Sequence, residues 1–148
     1  FVAAERLVRL GGSSDLAFDW VLPIWERMVS VPESLSNDQK TTLIRIVEGC
    51  FSAAQGEVGA PWLSRIEQAQ RADPGDAALQ YLAGVACLHL QLWGKSQQLL
   101  RQALPRLDAP ELQARAWQVL AELAERQGDD AQAAQAWKQA AQTKLQRD

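Results

Sequence analysis

The sequence predicts an all-α fold in which antiparallel helix pairs stack one after another. Three observations lead to this prediction. Apolar residues recur at three- and four-residue spacing through almost every segment of the 148 residues, and sustained alternation of β-branched and polar residues is absent. Alanine, leucine, glutamine, glutamate and arginine dominate, and all of them favour helices. Short breaks separate the segments, so successive helices should turn back on one another.

Local signals predict eight helices. Their expected bounds are 1–10, 14–30, 38–55, 60–72, 77–90, 93–107, 111–127 and 130–146. Short polar side chains that can accept from free backbone N–H groups lie near four of the starts, and these are Asp15, Ser36, Asp76 and Asp130. Glycines that tolerate a left-handed backbone lie near the ends at Gly11, Gly12, Gly56 and Gly128. Pro61 fits a first helical turn, whereas Pro23 should kink its helix or interrupt it.

The charge balance and the hydropathy pattern exclude two classes of function. The 15 Lys and Arg residues against 18 Asp and Glu give a net charge of −3 without a long basic run, so nucleic acid is not an expected partner. No uninterrupted apolar window of about 18 residues occurs, so no segment here should span a bilayer. The chain begins with Phe1 rather than Met, and we expect it to be a piece of a longer protein that carries the targeting signals.

Reactive side chains are too few for the common catalytic constellations. Cys50, Cys87 and His89 are the only cysteines and histidine, so neither a zinc quartet nor a CxxC pair can form. Cys87 and His89 are two residues apart, and on a helix they point to different faces. Phosphate-loop, dinucleotide and nucleophile-elbow motifs are missing. We therefore predict no enzyme activity, no cofactor and no metal.

The spacing of small and large residues resembles the tetratricopeptide repeat, a helix pair of about 34 residues. The match in the last unit consists of Trp117, Leu120, Ala121, Ala124, Gly128, Ala133, Trp137 and Ala140. The unit before it matches at Gly84, Cys87, Ser96, Leu100 and Ala103, and the one before that at Ile46, Gly49, Cys50, Ala53, Ile66, Ala69 and Pro74. Small residues allow close helix crossings and large ones fill the space between pairs, so Trp117, Trp137, Cys50 and Cys87 are interpreted as packing residues.

The resemblance implies one domain, 1–148, that forms a right-handed superhelix. It would consist of a degenerate pair at 1–37 and of three repeat units at 38–74, 77–110 and 111–147. In this architecture the first helices line a concave surface that binds protein partners. The partner-binding residues would be Ile44, Val47 and Phe51, then Tyr81, Val85 and Leu88, then Arg115, Gln118, Glu122 and Glu125.

This predicted face is apolar toward the N terminus and charged toward the C terminus. An apolar surface exposed to water is a signal of binding. The alternative is that an N-terminal helix, or a missing part of the parent protein, covers Ile44, Val47 and Phe51. Arg115 alone would serve a basic clamp for a carboxylate, so the role of a chaperone-binding clamp is disfavoured.

One stretch has a more specific likeness. The run Gln91-Leu92-Trp93-Gly94-Lys95-Ser96 is similar to the Q-L-W-G-K-A motif of HemY-type proteins, the haem-biosynthesis-associated tetratricopeptide proteins of proteobacteria. Residues 120–129 and 133–137 also resemble the end of that family. The resemblance implies the C-terminal soluble part of an inner-membrane protein, anchored by N-terminal helices that this chain lacks. It would be non-catalytic, act at a late step of protohaem formation from the cytoplasmic side, and contact haem-pathway enzymes.

Two other functions remain open from the sequence. One is a haem or porphyrin carrier, in which a flat ligand lies in an apolar groove at Phe51, Tyr81 and Leu88 and His89 supplies an axial nitrogen. The other is a general repeat adaptor in envelope or pilus assembly. Spectroscopic titration with haem and identification of the bound proteins distinguish these hypotheses from a haem-pathway scaffold.

Overall fold

The computed structural model describes residues 14–53 and 59–147, and these ranges are almost entirely helical. The seven α-helices within them are α1 (Ser14–Ser30), α2 (Asn37–Ala53), α3 (Gly59–Ala72), α4 (Ala77–His89), α5 (Trp93–Ala103), α6 (Pro110–Arg126) and α7 (Asp130–Arg147). Single 3-10 turns occur at Pro32–Ser34 and Leu104–Arg106, and these ranges contain no strand. The predicted all-α class is confirmed. The predicted helix 1–10 and the glycines Gly11, Gly12 and Gly56 lie outside the described residues.

The chain divides into two compact units, Phe1–Ala72 and Asp73–Asp148. This division lies beside the boundary that the sequence predicts between the repeat units 38–74 and 77–110.

In the first unit, α1 packs against α2. Val21, Trp25 and Met28 are buried on α1, and their spacing of four and three residues places them on one helical face. On α3, Trp62 is buried and meets Trp25 edge to face, with ring centroids 5.7 Å apart and planes at 73°. Aromatic pairs favour this arrangement because the positive edge of one ring faces the negative face of the other.

The interruption that the sequence predicts at Pro23 is not present. Helix α1 continues through Pro23 from Ser14 to Ser30. Pro23 cannot donate to the carbonyl of Asp19, four residues earlier. Both residues are exposed, so water can hydrogen-bond to that carbonyl and the helix tolerates the missing bond.

The second unit consists of two helical hairpins, α4 with α5 and α6 with α7, and α6 also packs against α4 and α5. The two hairpins turn in the same way. In the first, Gln91 has a φ of 63° and the Leu92 N–H donates to the Cys87 carbonyl at 2.8 Å. In the second, Gly128 has a φ of 77° and the N–H of the next residue closes the same loop at 2.9 Å. This is the Schellman arrangement that ends many helices.

The helices of the first hairpin approach closely at Gly84. The Ser96 hydroxyl donates to the Gly84 carbonyl at 2.7 Å, and both residues are buried. A Cβ atom on Gly84 would lie 2.8 Å from Cγ of Leu100. The equivalent positions of the second hairpin are also small and buried, at Ala121 and Ala133.

At three of the four helix starts with a predicted cap, side chains follow the expected capping chemistry, with one shift; the side chain of Asp15 lies outside the described residues. Ser36 and Gln39 form a reciprocal capping box at α2, and Asp76 accepts from the backbone N–H groups of Ala78 and Leu79 at α4. At α7 the capping carboxylate belongs to Asp129, which accepts from the Gln132 N–H at 3.1 Å, so the assignment to Asp130 was one residue late.

The predicted helix 93–107 is too long. Helix α5 ends at Ala103, and the chain continues as the 3-10 turn Leu104–Arg106. Pro105 is the cause, because it has no N–H with which to continue the helical ladder.

Candidate functional site

In the first unit, the residues of the predicted partner-binding face belong to the core. Ile44 and Val47 have no exposed surface, and Phe51 is 2% exposed. They offer no accessible surface to a partner in this structure. The packing of α1 against α2 agrees with the alternative that a helix near the N terminus covers α2.

In the second unit, the predicted face divides between two helices that pack together. On α4, Tyr81 and Val85 are buried and Leu88 is half-buried. On α6, all four candidates are accessible to some degree: Arg115 and Gln118 are half-buried, and Glu122 and Glu125 are exposed. Apart from the half-buried Leu88, the accessible part of the face is therefore polar, whereas Tyr81 and Val85 pack inside.

Two hydrogen bonds order this polar row. The Arg115 guanidinium donates to the Gln118 side-chain oxygen at 2.7 Å along α6. The indole N–H of Trp137, on α7, donates to the Glu125 carboxylate at 2.6 Å. Trp137 is 38% exposed, so it is only partly buried as a packing residue. Its hydrogen bond also joins the two helices of the second hairpin at the surface.

The two cysteines and the histidine differ in their accessibility. Cys50 and Cys87 are both buried. Burial raises the pKa of the Cys50 thiol to about 12, so the nucleophilic thiolate is scarce at neutral pH. His89 is the exposed last residue of α4. Within the described ranges, no group of three or more His, Cys, Asp or Glu side chains is placed to hold a metal ion.

The carrier hypothesis requires accessible aromatic rings. Phe51 and Tyr81 are both buried and offer no ring face on which a flat ligand could stack. Among the residues of that hypothesis, His89 is exposed and Leu88 is half-buried.

A pocket that the sequence analysis did not predict lies in the second unit. It has a volume of about 570 Å³ and lies between the end of α5 and the hairpin of α6 and α7. Its lining consists of Arg101, Leu104, Pro105, Gln113, Trp117, Leu120, Gln132, Gln135 and Ala136.

This pocket and the predicted partner face use different sides of α6. Trp117 and Leu120 line the pocket, and at 3.6 residues per turn their mean direction is about 150° from that of the predicted face. None of the ten predicted residues lines the pocket. The repeat pattern of the sequence does assign Trp117 and Leu120 to the space between successive helix pairs. The spacing of residues does not tell whether side chains fill that space or leave a pocket.

None of the helices in 14–53 and 59–147 combines the length and the apolar character that crossing a bilayer requires. No protein-family model matches the chain, and neither a curated protein nor a solved structure matches it.

Proposed function

We propose that this chain is a non-catalytic protein-interaction scaffold built from tetratricopeptide-like helix pairs. The observation that supports this proposal best is the equivalence of the two hairpins in the second unit. Gln91 and Gly128 are 37 residues apart in the sequence and have the same left-handed backbone. A repeated hairpin is the unit from which helical-repeat proteins build extended binding surfaces.

The helix crossings support the same proposal. Gly84 and Ala121 occupy equivalent places on the first helices, and Ser96 and Ala133 do so on the second helices. All four are small and buried, as a close crossing requires. The hairpins are three residues further apart than in a 34-residue repeat, and the 3-10 turn Leu104–Arg106 between them has that length.

We propose that the partner contacts the polar row on α6. Arg115, Gln118, Glu122 and Glu125 provide one cation, one amide and two carboxylates on one helical face. The two exposed carboxylates favour a partner surface that carries Lys or Arg opposite them. Contacts of this kind contribute to orientation and association rate more than to affinity.

We further propose that the partners belong to the haem pathway and that the parent protein is anchored in the bacterial inner membrane. This proposal rests on the likeness of the Gln91–Ser96 run to the HemY-type motif. Several residues of the run make contacts within the second unit. Gln91 provides the left-handed turn, the Trp93 ring lies 4.5 Å from the Arg126 guanidinium, and Ser96 bonds to Gly84.

Site-specific photo-crosslinking in the intact parent protein tests the scaffold proposal. A benzophenone amino acid at Glu122, in the polar row, should capture a discrete protein in cells, and a tetrapyrrole-synthesis enzyme is the expected product. The matched control places the same group at Gln98, an exposed residue of α5 outside this row. Equal capture at both positions, or none at Glu122, would contradict the proposed surface.

The identity of the product and a haem titration separate the rival functions. Capture of envelope or pilus proteins without any tetrapyrrole enzyme would favour the general adaptor. A Soret shift on addition of haem that disappears in His89→Ala would favour the carrier. Under the scaffold proposal, the wild type and His89→Ala give the same spectrum as free haem.

A further inference from the structure

We propose that the pocket between α5 and the α6–α7 hairpin binds a small amphipathic monocarboxylate, with its apolar body on Trp117 and Leu120 and its carboxylate at Arg101. All nine lining residues belong to the second unit. The site lies on the other side of α6 from the polar row, so this proposal is independent of the scaffold proposal.

The floor of the pocket selects for an apolar body. Leu104, Pro105, Trp117, Leu120 and Ala136 supply hydrocarbon and one indole ring. Trp117 is half-buried, so part of its ring remains available for contact. The volume of about 570 Å³ falls within the range of about 300 to 1,000 Å³ that is typical of small-molecule sites.

The rim of the pocket selects for one negative charge. Arg101 is the charged residue of the lining, and no carboxylate accompanies it there. One orientation of the Gln132 side-chain amide gives both of its polar atoms a hydrogen-bond partner. In this orientation the amide oxygen accepts from Arg101 Nη2 at 2.7 Å, and the amide nitrogen donates to Asp129 Oδ2 at 3.2 Å. A guanidinium has five N–H donors in a planar fork, so this bond orients the group and leaves donors for a carboxylate.

The other polar residues of the rim are amides. Gln113 already donates its side-chain N–H to the Leu107 carbonyl, which fixes that side chain at the edge of the pocket. Gln135 is exposed and can accept from or donate to a ligand headgroup. An apolar floor with a few convergent polar groups is the usual composition of a ligand site. Because the lining contains a single cation, the ligand should carry a negative charge.

Paired titrations of the whole chain with decanoate and 1-decanol test this proposal. The two probes share an apolar body and differ in charge. Decanoate should bind with a stoichiometry of one, and backbone amide NMR signals of α6 and α7 residues at the pocket should shift. Arg101→Gln should weaken decanoate binding about fivefold, a modest factor because the guanidinium is exposed, and should leave decanol binding unchanged.

Two further variants keep the test specific. Lys138→Gln removes an exposed cation from the same α7 helix outside the pocket, and it should leave decanoate binding unchanged. Gln135→Trp places a large ring at the rim and should block both probes. The proposal is overturned if decanoate fails to bind the wild type, if Arg101→Gln binds it as tightly, or if the shifted signals lie elsewhere.

Discussion

At the scale of single residues, two glycines in the same hairpin have opposite environments. Gly84 lies where α4 and α5 cross, and a Cβ there would meet Cγ of Leu100, a fully buried side chain, at 2.8 Å. Gly94 lies in the first turn of α5, and a Cβ there would have no neighbour within 4 Å. The role of a glycine in this hairpin therefore depends on the packing around it.

We expect Gly84→Ala to lower the free energy of unfolding by about 1 to 3 kcal/mol, because the added methyl group overpacks the crossing. Gly94→Ala should raise it by about 0.5 to 1 kcal/mol, because alanine restricts the unfolded chain and fits the helix. Urea unfolding followed by circular dichroism measures both. A neutral Gly84→Ala would show that the two helices can separate at little cost.

Cys50 should make stability depend on alkaline pH. Its pKa rises from 9.0 to about 12 on burial. Below pH 9 the Cys50 thiol is protonated in both the folded and the unfolded state. Above pH 9 the thiol ionises first in the unfolded chain, and this ionisation favours the unfolded state. The contribution of Cys50 is thus lost progressively between pH 9 and about pH 12.

The corresponding measurement compares the wild type with Cys50→Ala at pH 8 and pH 10.5. The variant has a smaller core side chain and starts from lower stability, so the changes between the two pH values are compared. The wild type should lose about 2 kcal/mol more than the variant over this interval. Equal losses would mean that Cys50 ionises as easily in the folded protein as in the unfolded chain.

At the scale of elements, the two hairpin turns place different residues in the same backbone conformation. Gly128 has no Cβ and adopts a φ of 77° freely. Gln91 adopts a φ of 63° although it has a side chain. Residues other than Gly, Asn and Asp seldom adopt a positive φ. The first turn is therefore the more strained of the two.

Exchanging these residue types should change stability in opposite directions. Gln91→Gly should stabilise the protein by about 1 kcal/mol because it removes the left-handed penalty, and Gly128→Ala should destabilise it by about the same amount. Thermal unfolding measures both, and each variant is the control for the other. Destabilisation by Gln91→Gly would mean that the glutamine side chain stabilises the turn by more than the backbone strain costs.

Most of the helices could be predicted from the sequence, because their apolar spacing and capping residues are local signals. Each of the seven described helices, α1 to α7, begins within about one residue of its expected position. Two details required the three-dimensional context. Pro105 shortened α5, and Pro23 failed to interrupt α1 because its environment is solvent.

At the scale of the whole molecule, sequence periodicity located the faces of helices but not what covers them. Ile44, Val47 and Tyr81 were assigned to a surface, and they are fully buried. An apolar stripe has the same spacing whether it meets a partner or another helix of the same chain. The polar row on α6 was easier to locate, since charged side chains are seldom fully buried. The pocket depends on the arrangement of three helices, which no local pattern specifies.

The division of the chain predicts that residues 73–148 fold without the first unit. Their two hairpins pack against each other and bury Leu100, Leu112 and Leu123 completely. Expressed alone, this fragment should be helical by circular dichroism and unfold cooperatively in urea. The matched control is the single hairpin 73–109, which should remain largely unfolded because one helix pair cannot bury its apolar face. A fragment 73–148 without a cooperative transition would contradict this prediction.

The contact between Trp137 and Glu125 gives the second hairpin an intrinsic spectroscopic probe. An indole proton that is bound by a carboxylate resonates downfield of one that exchanges with solvent, and it loses that shift when the bond breaks. Because this bond links the two helices at a site that water reaches, its proton signal should report their local separation well before the interior becomes exposed. Fraying of the hairpin could thus be followed in the native protein without any added label.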